Sequence, residues 1–266
     1  MVKVIGIISI KGGVGKTSAV SALAAALANE FGKRVLVVDA NFSSPNLGLH
    51  LGVLEPEKTI HHVLESKIKA KEAIYDSGYG FDVIMGGLFK GRVNPFKLRE
   101  KLAEVKHKYD IVLIDASPNL NEEVLSAMIA ADELIVITTP DVVTLSSTLH
   151  AVKLAKEKKT PIIGLILNKV YGKKFELSLN DIENTAGVNV IAVLPHEVQV
   201  LEALSKNIPS TLHKETASTR EYKKLAGMLV GENYEDNSLK GRFLRFMKSV
   251  PKQEVNRVIL TEKRFL

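Results

Sequence analysis

The sequence predicts an α/β fold, in which a doubly wound, mostly parallel sheet carries helices on both of its faces. Apolar runs of strand length recur along the chain at residues 2–10, 35–40, 109–115, 133–138 and 161–168. Near-continuous runs of Val, Ile and Leu are typical of parallel strands that are buried on both faces. Stretches with helical spacing separate the runs, and this alternation favours βαβ units.

The elements follow in a regular order. The first apolar run leads through a glycine-rich loop into a predicted helix at 18–31, and the strand at 35–40 follows it. Two short helices over 58–75, a strand at 81–87 and a helix from Asn94–Pro95 to His107 come next. We then expect helices at 122–130 and 142–156, a last strand at 188–194, and covering helices at 201–206 and 219–229.

Length and composition limit the possible classes of protein. The 266 residues are 45% hydrophobic, which suits a globular domain with an appendage. The sequence contains no cysteine, so disulfides and thiolate metal sites are excluded. The charged N-terminus runs straight into the first strand and no apolar run is long enough to span a membrane. We therefore expect no signal peptide and a cytoplasmic location.

The most informative stretch is the loop after the first strand, which reads KGGVGKTS. Glycines let several backbone N–H groups approach phosphate oxygens, and the helix that follows adds its positive dipole end. A lysine and a threonine at the end of such a loop suit the β- and γ-phosphates and Mg²⁺, respectively. The predicted nucleotide-binding residues are Lys11, Gly12, Gly13, Val14, Gly15, Lys16, Thr17 and Ser18.

Two strands end in a carboxylate. Asp39 closes VLVVDA and Asp115 closes YDIVLID. In open α/β sheets, ligands bind at the carboxyl ends of the strands, where such side chains meet. Both carboxylates are therefore expected at the ligand edge, where Asp115 and the Thr17 hydroxyl suit Mg²⁺.

These motifs resemble the deviant Walker A motif, Walker B strand and switch loops of the MinD/ParA family of P-loop ATPases. The resemblance extends from about residue 2 to about residue 230, and it implies a P-loop ATPase domain at 1–231. It implies ATP or ADP and Mg²⁺ as cofactors, and a homodimer joined by ATP, with Lys11 reaching the partner's nucleotide. Lys11, Lys16 and Asn41 would serve hydrolysis. By the same resemblance, Asp39 would join Thr17 and Asp115 in holding the Mg²⁺.

Asn41 departs from the family pattern, which has a second aspartate at this place. An amide orients water by hydrogen bonding but cannot accept a proton as a carboxylate does. We therefore expect slow or partner-stimulated hydrolysis. The resemblance also assigns the nucleotide base to Asn168 and to the loop containing Pro195 and Glu197. The adjacent histidines His61 and His62 would face different directions on a helix and are interpreted as structural.

Residues 232–266 form the second predicted unit, a linker followed by a basic amphipathic tail. This unit holds eight Lys/Arg against five Asp/Glu. Within 238–250 the apolar residues share one helical face and basic residues flank it, a pattern that suits an anionic membrane surface. The alternative is a helix that packs on its own domain or on a partner. Residues 251–266 would be a strand or a partner-binding peptide.

Three functions remain open at this stage. The first is a MinD-like switch, which dimerises on ATP and acts in spatial positioning of cell division or of polar structures through reversible membrane attachment. The second is a ParA-like DNA-segregation ATPase, although DNA is the less favoured partner. The third is a nucleotide-sensing scaffold with little hydrolysis. Each function would involve a protein regulator that the sequence does not identify.

Overall fold

The computed structural model describes residues 2–87, 91–234 and 250–265. Its centre is an eight-stranded sheet with helices on both faces, so the predicted fold class is confirmed. Seven of the eight strands run parallel, and only the edge pair β3–β4 is antiparallel. Among the described residues, no helix is long and apolar enough to cross a bilayer.

The strands lie in the spatial order β3-β4-β2-β5-β1-β6-β7-β8. Their bounds are β1 Lys3–Ile8, β2 Val35–Ala40, β3 Tyr75–Asp76, β4 Asp82–Ile84, β5 Ile111–Ala116, β6 Glu133–Thr138, β7 Ile162–Val170 and β8 Val190–Pro195. The central strands are buried along almost their whole length, as their unbroken apolar sequences predict. β5 and β6 follow each other in the chain but lie on opposite sides of β1, so the strand order reverses at β1. An open α/β sheet binds ligands at such a switch point.

The helices alternate with the strands as predicted. Their bounds are α1 Lys16–Phe31, α2 Leu47–His50, α3 Ile60–Leu64, α4 Leu98–Ala103, α5 Glu122–Ala130, α6 Val142–Glu157, α7 Leu179–Ala186, α8 Val198–Ser205, α9 Ser210–His213, α10 Ala217–Val230 and α11 Lys252–Phe265. Short 3₁₀ helices cover Ala70–Ala73, Pro95–Lys97 and Lys106–Lys108. Two apolar clusters, one on each face of the sheet, form the core.

The end of the described chain is a helix, α11, rather than a strand or a free peptide. It packs against the edge strand β8 mainly through polar side chains. The Asn256 amide donates to the Val190 carbonyl at 2.8 Å, and the Arg257 guanidinium donates to the Ile191 carbonyl and the Glu221 carboxylate, both at 2.8 Å. Residues 252–265 therefore belong with the body of the protein. The predicted amphipathic segment 238–250 lies almost entirely outside the described residues.

Candidate nucleotide and magnesium site

The glycine-rich loop lies between β1 and α1, at the carboxyl edge of the sheet. Gly13 and Gly15 have φ angles of 75° and 93°, which other residues rarely adopt. A Cβ on Gly15 would also collide with the Asn168 side chain. Gly15 precedes the first residue of α1, so the free N–H groups of that helix face the loop. This geometry fits the phosphate-binding role that the motif predicts.

Lys16, Thr17 and Asp115 meet directly below the loop. The Lys16 side chain is buried, and burial lowers the pKa of its amine while the Asp115 charge opposes that shift. Burial raises the pKa of the Asp115 carboxyl, against a hydrogen bond from Thr17 and the charge of Lys16. The charge of Asp115 only partly offsets the cost of burying the Lys16 amine. This lysine is therefore suited to pair with the negative charge of phosphates.

The second carboxylate, Asp39, pairs with Asp115 across neighbouring strands. Asp39 is fully buried, and burial together with the Asp115 charge raises the pKa of its carboxyl. Three backbone N–H groups partly offset this cost, from Asn41 at 3.0 Å, Leu47 at 3.1 Å and Asn46 at 3.2 Å. Two buried carboxylates side by side repel each other unless a proton or a cation lies between them.

Magnesium fits this pair of carboxylates. The Oδ1 atom of Asp115 is buried and has no hydrogen-bond partner among the described residues. Hard oxygen donors from carboxylates and a threonine hydroxyl are the ligand types that Mg²⁺ prefers. Asp39, Asp115 and Thr17 would therefore hold the ion or its waters, and the ion would neutralise charge on the phosphates.

Asn41 occupies the loop that follows β2 and is buried next to this pair. Its side-chain amide donates to the Ser44 carbonyl, and it also lines a cavity next to the glycine-rich loop. The amide oxygen is the acceptor that remains for orienting a water molecule. Its geometry fits a water-positioning role and not that of a general base.

Lys11 is held within its own chain. Its Nζ donates to the Thr144 hydroxyl at 2.8 Å and lies 3.7 Å from the Asp141 carboxylate at the start of α6. Asp141 itself caps α6 through the Thr144 N–H at 2.9 Å. The lysine side chain is 39% exposed, so it retains access to solvent at the carboxyl edge of the sheet.

Asn168 and Lys169, at the end of β7, hold two consecutive carbonyls of the glycine-rich loop. The Asn168 amide donates to the Val14 carbonyl at 2.7 Å, and the Lys169 amine donates to the Gly13 carbonyl at 2.7 Å. Consecutive strand residues normally point to opposite faces. The left-handed backbone of Lys169, with φ 57°, permits both side chains to reach the same loop.

A cavity of about 350 Å³ extends from the loop across the carboxyl edge towards α8 and α10. Of the predicted site residues, those that line it are Gly13, Gly15, Lys16, Thr17, Ser18, Asn41, Asn168, Pro195 and Glu197. The Glu197 carboxylate is already used, because it accepts the Ala217 and Ser218 N–H groups at 3.1 Å each, at the start of α10. Its contribution to a base site would come from its backbone.

Three residues that contact the glycine-rich loop or Lys11 were missed by reasoning from sequence. Lys169 donates a hydrogen bond to the Gly13 carbonyl of the loop. Thr144 and Asp141 contact the Lys11 amine. The sequence marks Asp141 only as the cap of a helix, and it marks Lys169 only as part of a common turn pair. A contact over more than 130 residues of chain has no local pattern by which it could be found.

Comparison with known proteins agrees with this geometry. Residues 2–164 match an AAA domain family. An uncharacterized ATP-binding protein from Methanocaldococcus jannaschii is 35% identical over 236 residues, which cover 87% of this chain and 89% of the relative. The solved structure of septum site-determining protein MinD from Pyrococcus horikoshii, complexed with Mg-ADP, has a TM-score of 0.81 and 31% identity. The aligned region covers 86% of this chain and 96% of the Pyrococcus protein.

This chain belongs to the MinD/ParA family of P-loop ATPases. The predicted family is therefore confirmed, and the predicted cofactors agree with the Mg-ADP in the Pyrococcus protein. The family is broad, since an iron-sulfur cluster carrier protein from Pyrococcus horikoshii is 27% identical over 86% of this chain and 85% of its own length. The present sequence has no cysteine and cannot ligate a cluster through thiolates.

Proposed function

We propose that this protein is a MinD-like ATP switch, in which Mg-ATP joins two copies of the chain and hydrolysis separates them. The observation that carries the proposal is Lys11, placed at the start of the phosphate loop, on the open edge of the sheet. A lysine that served only its own nucleotide would duplicate Lys16, which already lies buried under the loop.

The contacts of Lys11 support two states. In the single chain, Thr144 and Asp141 hold its amine. Both contacts are part-exposed, so they stabilise this position only weakly. The phosphates of a nucleotide on a second copy carry several negative charges and would attract the same amine more strongly. ATP binding would thus favour release of Lys11 from α6 and formation of the dimer.

Hydrolysis should be slow because Asn41 supplies hydrogen bonds without a base. Phosphoryl transfer depends mainly on positioning and charge neutralisation, so an amide permits residual turnover. We expect Asn41→Asp to raise the basal rate of ATP hydrolysis about a hundredfold, the lower end of the usual contribution of a positioned base. The measurement is phosphate release at saturating Mg-ATP. An unchanged rate would show that water activation does not limit turnover.

The proposed output of the switch is attachment to an anionic membrane through residues 238–250. A dimer doubles the number of weak membrane-binding segments, so two together would bind where one would dissociate. The switch would then act in spatial positioning, as the name of the septum site-determining relative suggests. This attachment and a regulator protein both belong to the proposal.

Sedimentation with anionic liposomes tests the membrane step. Truncation before residue 238 is a poor test, because it also removes α11 with its buried Arg257. The double variant Phe243→Ser, Phe246→Ser changes only the apolar face of the segment. We expect the wild type to pellet with Mg-ATP and not with ADP, and the variant to stay in the supernatant with either. A wild type that stays in the supernatant with Mg-ATP would refute the membrane step, and equal pelleting of both proteins would refute the role of residues 238–250. Binding to DNA that falls steeply with salt would favour the ParA-like alternative.

A further inference from the structure

One peptide group in the loop after β2 is held at both of its ends. The Phe42 carbonyl accepts a hydrogen bond from His61 Nε2 at 2.8 Å. The N–H of the same peptide group, on Ser43, donates to Glu123 Oε1 at 2.9 Å. His61 lies on α3 and Glu123 lies on α5, so side chains from two separate helices fix a single peptide plane.

The His61 side of this arrangement is rigid. The residue is 1% exposed, and its ring packs edge-on against the Phe42 ring at a centroid distance of 6.2 Å. A carbonyl oxygen only accepts, so Nε2 must carry the hydrogen. Burial lowers the pKa of the imidazole, which keeps the ring neutral near pH 7. The contact is therefore constant over the physiological range.

The Glu123 side connects this loop to the second carboxylate strand. Glu123 lies in the first turn of α5, and residues 117–121 connect that helix to β5, which carries Asp115. The held peptide lies in 41–44, directly after Asp39 and Asn41. Glu123 thus bridges the two loops that leave the Mg²⁺ carboxylates. Rotation of the peptide plane would break the His61 and Glu123 bonds together.

We propose that His61 and Glu123 form a peptide clamp that fixes the 41–44 loop against α5 and holds Asn41 in the orientation that hydrolysis needs. Both are positioning residues, since they act on Asn41 through the backbone of Phe42 and Ser43. The inference rests on the proposed hydrolysis, and it adds a coupling between the two loops that flank the Mg²⁺ site. The sequence analysis interprets His61 and His62 as structural, and the clamp gives His61 a specific role.

The test uses three variants of the full chain: Glu123→Ala, Glu123→Gln and Glu122→Ala. Glu122 is the matched control because it is exposed and shares the first turn of α5, so both alanine variants lose the same favourable interaction with the helix dipole. Only Glu123→Ala removes the acceptor of the Ser43 N–H. The glutamine keeps an amide oxygen at that place and should restore the bond.

We expect Glu123→Ala to lower kcat for Mg-ATP hydrolysis about tenfold, a change of about 1.4 kcal/mol in the barrier. The Kd of ADP should stay within twofold of the wild type, because the clamp does not touch the phosphate loop. Glu123→Gln should recover most of the rate, and Glu122→Ala should equal the wild type. Equal slowing by the two alanine variants, or no slowing by Glu123→Ala, would overturn the proposal.

A second measurement makes the inference independent of turnover. Hydrogen exchange at the Ser43 amide in the ADP complex should accelerate at least tenfold in Glu123→Ala and stay unchanged in Glu122→Ala. A wild type that binds ADP but shows no hydrolysis would count against the proposed ATPase switch alone. Unchanged exchange in Glu123→Ala would count against the clamp alone.

Discussion

Replacing Lys169 by methionine should weaken nucleotide binding by about tenfold. The amine donates to the Gly13 carbonyl at 2.7 Å, and it lies next to the loop that receives the phosphates. A hydrogen bond from a charged group contributes about 1.5–3 kcal/mol, and an exposed one falls at the lower end of that range. A loss of about 1.4 kcal/mol corresponds to a tenfold rise in Kd. ATP and ADP should be affected equally, because the bond supports the loop and not the γ-phosphate.

The assay is calorimetric titration of Mg-ADP, with Lys173→Met as the matched control on the exposed loop that follows β7. Lys169→Gly separates the loss of the hydrogen bond to the Gly13 carbonyl from the effect of backbone strain. The left-handed φ of 57° costs a lysine about 1 kcal/mol that glycine avoids, so this variant should be at least as heat-stable as Lys169→Met. It should nevertheless lose the same affinity. A Kd for Lys169→Met within twofold of the wild type, or an equal loss in Lys173→Met, would refute the reasoning.

Three further predictions concern the magnesium pair, the loop and α11. Because burial and Asp115 raise the folded-state pKa of Asp39, its contribution to stability is present below the ordinary carboxyl value of 3.8 and is lost as pH rises towards neutral. Relative to the wild type, Asp39→Asn should therefore gain about 2 kcal/mol between pH 5 and pH 8, measured by urea unfolding in EDTA. Gly15→Ala should weaken Mg-ADP binding at least tenfold in the same titration as above, because alanine is strained at a φ of 93° and its Cβ displaces the Asn168 amide. Arg257→Ala leaves Glu221, whose side chain is 13% exposed, without its partner and should cost roughly 3 kcal/mol in unfolding free energy, whereas Lys263→Ala, on the exposed side of α11, should cost little.

The phosphate loop and the two carboxylates could be predicted because their chemistry is local. Gly13, Gly15 and Lys16 follow one another in sequence, and Asp39 and Asp115 each end an apolar run whose place in a parallel sheet is set by its pattern. Gly13, Gly15 and Lys16 line one cavity, and Asp39 pairs with Asp115 on neighbouring strands.

The remaining features depend on contacts that no local pattern encodes. The helix α11 presents Val258 to solvent, 58% exposed, and buries Asn256 and Arg257 against the edge strand. This arrangement is the reverse of the usual apolar-inside rule, so periodicity misreads it. Lys169 reaches the loop only because its backbone is left-handed, and a lysine gives no sign of that conformation.

The role of His61 shows the same limit. Two neighbouring histidines on a short helix do not indicate a function by their pattern. The proposed role of His61 depends on its hydrogen bond to the Phe42 carbonyl, nineteen residues away in the chain. The family resemblance implies a switch loop at residues 41–44, but only the folded chain shows which side chains hold it.

Sedimentation velocity of the wild type and Lys11→Ala, with Mg-ADP or with a slowly hydrolysed Mg-ATP analogue, tests the central claim most directly. The account predicts a dimer only for the wild type with the ATP analogue. Lys11→Ala should remain monomeric, while it binds the analogue with a Kd close to that of the wild type, because Lys16 and the loop are intact. A wild type that stays monomeric with the analogue, or a Lys11→Ala variant that dimerises equally well, would contradict the ATP-dependent switch.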